Sequence, residues 1–109
     1  MGEEALSSPR PATVQVEVVA WINKFVGGDG TGRRLYEEPI AGETVREILR
    51  RLSDRHPELD HALWDESKKE LGDSIEVLVN DAVLGVSHDL DSELKPGDLI
   101  SLIGQYQGG

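Results

Sequence analysis

Leu99–Gly109 reads LISLIGQYQGG. From Leu99 to Tyr106 both alternating parities are apolar, the pattern of a strand covered on both faces near the middle of a sheet. Just before it, Lys95-Pro96-Gly97-Asp98 carries the chemistry of a turn. After it stand Gly108 and Gly109, which have no side chains and the fewest backbone restrictions. The stretch therefore predicts a central strand that runs out into a thin tail. The other segments have to build a sheet around it.

Working back from that strand, Ser74–Asp81 (SIEVLVND) places Ile75, Val77 and Val79 on one face of another strand. Asn80-Asp81 is a tight turn into a short strand, AVLGV, and Ser87–Asp98 is a polar connection. Ala41–Leu59 holds the clearest helix. Thr44 and Glu47 form a Thr-x-x-Glu capping box, and Val45, Ile48, Leu49 and Leu52 make one apolar stripe. Arg46, Arg50 and Arg51 face away from that stripe as a solvated basic face, and Pro57 stops the helix at or before His56. Leu59, Ala62, Leu63 and Trp64 lie in a weakly patterned segment, read as a short second helix or an ordered loop.

At the other end, Thr13–Val26 (TVQVEVVAWINKFV) has Val14, Val16, Val18, Ala20 and Ile22 at period two, predicting one long strand. Gly27–Arg34 (GGDGTGRR) is glycine-rich but lacks the Gly-Lys-Ser/Thr ending and following helix of a phosphate loop. It is read as a long hairpin turn into a second, antiparallel strand over about residues 34–38. The order is β-β-α-(short helix)-β-β-β. A four- to five-stranded mixed sheet with one main helix packed across it buries every apolar stripe, an α+β two-layer design. The first and last strands are the most apolar, so they are expected side by side and parallel in the centre. That is the β-grasp, ubiquitin-like arrangement. Residues 1–12, with two prolines, are expected to be a flexible leader, 13–105 the β-grasp domain and 106–109 a flexible tail.

At 109 residues the chain is expected to form one domain. It has no cysteine, which excludes disulfides, thiolate metal sites and a cysteine nucleophile. The net charge of −10 repels phosphate backbones and anionic lipid, so neither nucleic acid nor a membrane is an expected partner. No segment has the length and apolarity to span a bilayer, and no secretory leader is recognisable, so a cytoplasmic location is expected.

Residue by residue, no side-chain active site emerges. His56, His61 and His88 are scattered, without a metal-binding helical spacing, so no metal site is expected. Asp89 and Asp91 are too sparse for a calcium loop, and no nucleophile elbow is present. One further reactive group is the carboxylate of Gly109. An enzyme that activates it must receive the chain through a narrow channel, and residues without Cβ thread most easily. If the helix covers Val14, Val16 and Val18, then Val19, Trp21 and Leu78 point to the other side, with Leu102 and Ile103 from the last strand. Such a patch reads as a partner-docking surface unless the leader or the Leu59–Ser67 segment covers it.

The strand order, the sequence VLVNDAVLGVSHDLDSELKPGDLISLIGQYQGG and the terminal Gly108-Gly109 resemble ubiquitin-like sulfur carrier proteins of the MoaD/ThiS type. The resemblance runs from about Val14 to Gly109 and is most specific in the C-terminal third. It implies a protein co-substrate rather than an enzyme, with no bound cofactor and a monomeric free state. An E1-like adenylating enzyme, using ATP, would activate Gly109. Sulfur would then replace AMP and leave a thiocarboxylate. Gly108, Gln107 and Tyr106 would thread the partner's active site. The sulfur would pass to molybdopterin, thiamine, tRNA or amino-acid biosynthesis, through an acceptor such as a molybdopterin-synthase large subunit. The chain would then be the small non-catalytic subunit of such a complex. Two alternatives stand beside this: a modifier joined to lysines through Gly109, and a non-covalent β-grasp interaction domain. Lys24, Lys68, Lys69 and Lys95 are candidate acceptors, with no preference among them. Carriers of the molybdopterin type often have Pro-Pro shortly before the diglycine, where this chain has Gly104-Gln105, so the pathway stays open.

Overall fold

A computed structural model describes residues 12–104. Residues 1–11 of the expected leader, the expected tail boundary at 105/106, and residues Tyr106, Gln107, Gly108 and Gly109 lie outside that range. Five strands form one sheet: β1 (Thr13–Val19), β2 (Arg33–Pro39), β3 (Ile75–Val79), β4 (Ala82–Val83) and β5 (Leu99–Gly104). Their spatial order is β2-β1-β5-β3-β4. β1 and β5 are adjacent and parallel, with Val16 opposite Ile100 and Val18 opposite Leu102, and every other pairing is antiparallel. The sheet is the expected β-grasp, with β5 at its centre.

β1 ends sooner than its alternation predicts. Ala20 takes φ +57°, and the chain winds into a 3-10 helix, Ala20–Val26. Apolar parity survives the change because Ile22 and Val26 still drop into the core. The following Gly27–Gly32 loop is organised by Asn23, which is buried. Its amide donates to the Thr31 carbonyl at 2.7 Å, and its Oδ1 accepts from Gly30 N–H at 2.6 Å. Gly30 sits at φ +90°, where a side chain would be strained.

Helix α1 (Val45–Arg55) begins at the predicted capping box. Glu47 N–H donates to Thr44 Oγ1 at 3.2 Å, and Thr44 N–H donates to Glu47 Oε1 at 2.9 Å. Caps of this kind contribute about 1 kcal/mol. Val45, Ile48, Leu49 and Leu52 are buried in the core with Val14, Val16, Val18, Val77, Ile100 and Leu102 from the sheet. His56, at φ −135° and ψ 89°, leaves the helical region, as the residue before a proline prefers to, and Pro57 opens a second helix, α2 (Pro57–Leu63). The weakly patterned segment is therefore helical, and it adds Leu59, Leu63 and Trp64 to the core. Trp64 Nε1–H donates to Ser53 Oγ at 2.9 Å, which pins α2 to α1.

The arginines on the outer face of α1 are tied into the fold. Arg46 donates to Asp91, and Arg50 to Asp60 and the Lys68 carbonyl. Arg51 donates to the Pro39 carbonyl and to Glu43. At the far side of the sheet, Asn80 and Asp81 have φ of +52° and +70°, the primed turn that suits a two-residue hairpin. Asn80 Oδ1 also accepts from Leu99 N–H at 2.9 Å, tying that hairpin to the start of β5.

The open sheet face and the exit of the last strand as a candidate functional site

Strand alternation divides the sheet into two faces. α1 covers the one that carries Val16, Ile100 and Val77. On the other face, one row runs across all five strands: Leu35, Glu17, Ser101, Leu78 and Val83. Val19 and Ile103 extend this face toward the end where β5 leaves the sheet. Val19, Leu78 and Ile103 are half-buried, while Leu35 and Val83 are 50% and 42% exposed. The Leu59–Ser67 segment does not cover this surface, since α2 packs on α1 and on the 3-10 helix.

Two expected docking residues stand elsewhere. Leu102 does not reach the open face. It lies opposite Val18 and Val77, at the centre of the core, with no exposed surface. Both parities of β5 are apolar, so composition could not tell which of Leu102 and Ile103 pointed outward. Register against β1 settles it. Trp21 is exposed at 44% but is carried by the 3-10 helix rather than by strand parity.

Sequence reading missed the polar centre of this face. Glu17 is paired with the Arg33 guanidinium and accepts from Ser101 Oγ at 2.9 Å. Its carboxyl is held below the usual glutamate range, first by the Arg33 hydrogen bond, against the opposing effect of burial, and then by Ser101. Alternation flagged Glu17 as polar on this side, but no local signal links it to Ser101, 84 positions away. Because folding depresses its pKa, Glu17 contributes stability that is present above roughly pH 4.3 and fades as pH falls through the folded value. Denaturant titrations from pH 6 to 3 are expected to show a shallower acid loss in Glu17→Gln than in the parent. Parallel curves would show that the pairing has no net effect.

β5 runs parallel to β1, so its exit lies at the end where the 3-10 helix begins. Gly104 there approaches the Trp21 indole: a Cβ added at residue 104 would lie 2.5 Å from Trp21 Nε1. Phe25 meets the same indole edge-on, with ring centroids 5.9 Å apart. Among the described residues, no group of three or more His, Asp or Glu side chains can hold a metal ion. No described helix is long and apolar enough to cross a membrane. The described surface thus places a partly apolar sheet face beside the last described residue of β5.

Solved structures share this architecture. A chain of the Amycolatopsis orientalis BexX/CysO complex is 28% identical with a TM-score of 0.66, covering 88% of this chain and 99% of its own. Small archaeal modifier protein 1 of Haloferax volcanii is 25% identical with a TM-score of 0.66, covering 84% and 94%. Urm1 of Trypanosoma brucei, at 19% identity and a TM-score of 0.71, covers 93% and 99% and attests the fold. No curated protein matches by sequence. The sequence profile of the ThiS family matches residues 16–109, from the middle of β1 through the diglycine. By that match, over most of its length, the chain belongs to the ThiS family of ubiquitin-like sulfur carriers.

Proposed function

We propose that this protein carries sulfur on the carboxylate of Gly109. The family match extends through that residue, and this observation carries the reading. A Gly109 carboxylate oxygen attacks the α-phosphorus of ATP on an E1-like enzyme. An acyl–phosphate bond forms and pyrophosphate leaves. A hydrosulfide equivalent then attacks the acyl carbon, AMP departs with the shared oxygen, and a thiocarboxylate remains. The adenylate supplies a leaving group that a free carboxylate lacks. Gly108, Gln107 and Tyr106 thread the partner's channel, while Val19, Trp21, Leu78 and Ile103 dock its rim. All acid–base chemistry belongs to the partner. The need for ATP fits a cytoplasmic setting. Sulfur passes from the thiocarboxylate to an acceptor enzyme in cofactor, thiamine, tRNA or amino-acid biosynthesis, of which a molybdopterin-synthase large subunit is one form.

A second reading, a modifier joined to lysines through Gly109, is favoured by the likeness to small archaeal modifier protein 1. One experiment separates them. The protein is incubated with E1-like enzymes from its own cell, ATP and a sulfur source, and its intact mass is recorded. A gain equal to sulfur replacing oxygen, localised to Gly109, is the result expected of a carrier. Isopeptide-linked products with no such gain would favour the modifier. No change with any such enzyme would leave the non-covalent interaction domain.

A further inference from the structure

We propose that Trp21 is a positioning residue for the tail: its indole stands on Gly104 and sets the direction in which the chain leaves the sheet. The inference rests on the sulfur-carrier reading above and adds to it how the carboxylate is presented.

The geometry at Gly104 is specific. A Cβ there would lie 2.5, 2.8 and 2.9 Å from Nε1, Cε2 and Cζ2 of Trp21, so the indole fills the space of the missing side chain. Gly104 is a strand residue outside the positive-φ region, so its backbone does not by itself call for glycine. What demands glycine is the ring. The ring also meets Phe25 edge-on, at an interplanar angle of 89°, and Ile22 and Val26 anchor the 3-10 helix that carries it in the core. With the indole seated on Gly104, the directions that cross it are closed to the chain. A partner channel accepts the tail along one line only. A chain already confined near that line loses less freedom on binding.

The test uses the full-length protein and an adenylating enzyme, with pyrophosphate release as the readout. Trp21→Ala is expected to raise the carrier's KM about tenfold with kcat within about twofold, the signature of lost pre-ordering rather than lost chemistry. Trp21→Phe, which keeps an aromatic wall, is expected to stay within about threefold of the parent. Trp21 also borders the docking face, so Gly104→Ala separates the two roles. It keeps the indole but forces it off the strand, and it is expected to raise KM as Trp21→Ala does. The double variant is expected to be no worse than Trp21→Ala, because the clash has lost its partner. Additive effects in the double variant, or a parental KM in Gly104→Ala, would overturn the proposal.

A second arm needs no enzyme. The heteronuclear NOE of the Gly104 amide is expected to fall in Trp21→Ala, and an unchanged value also overturns the proposal. If the parent protein is never adenylated, the sulfur-carrier reading fails by itself, and this arm still decides whether Trp21 orders the exit.

Discussion

Removing Gly109 is expected to abolish ATP-dependent sulfur transfer while leaving the fold in place. In-line attack on ATP requires the carboxylate within near-contact distance of phosphorus, and a misplacement of about 1 Å can cost roughly a hundredfold. Deleting one residue withdraws the carboxylate by about 3.3–3.6 Å along an extended chain. The docked body cannot follow it without giving up its contacts. The loss should therefore exceed about a hundredfold in kcat/KM. Gly109 has no side chain to pack, and it lies five residues beyond Gly104, the last residue of β5 that the structure describes. Its deletion is expected to move Tm by less than about 3 °C, as a change of under ~0.5 kcal/mol would. Intact mass and a thermal melt on the same sample check both halves. A deletion that unfolds the protein would give the tail a structural role instead and would sink the carrier reading.

Leu102→Ala and Ile103→Ala are expected to part in opposite directions, although the two residues are neighbours. Leu102 is wholly buried between Val18 and Val77. Truncating it leaves a cavity in the middle of the core, at a cost of about 2–5 kcal/mol. For a domain of this size that lowers Tm by roughly 10–25 °C. Ile103 is half-buried on the open face. Its truncation should cost much less in stability and should instead weaken binding to the adenylating partner. Thermal melts and a binding titration on the two variants decide the matter. Equal losses of stability would mean that the open face is packed in solution, and it would then be unavailable for docking.

These contrasts show how much the sequence carried. The capping box at Thr44 and Glu47, the Asn80-Asp81 turn, the buried parity of β1 and β3 and the central place of β5 were all legible. Each depends on residues a few positions apart. The second helix was only half legible. Its stripe of Leu59, Ala62 and Leu63 is short, and the helix is held by tertiary contacts, the burial of Leu59, Leu63 and Trp64 in the core and the Trp64–Ser53 hydrogen bond. Trp21 is exposed because the 3-10 helix carries it, not because of strand parity. The long alternation through Thr13–Val26 continues across the change from strand to 3-10 helix, because both conformations can direct Ile22 inward. Nothing local marks Ala20 as the break.

By itself, then, the sequence determined the element order, the apolar face of each element and the diglycine at its end, since periodicity, capping and turn chemistry act over single turns of backbone. Only the tertiary structure decided what depends on register between distant segments. It put Leu102 inward and Ile103 outward, joined Glu17 to Ser101 and Arg33, and laid the Trp21 indole on Gly104. Gly104, odd when read along the chain, has a close neighbour in space. At Gly104 the Trp21 indole, carried by the 3-10 helix that follows β1, already occupies the place a side chain would take.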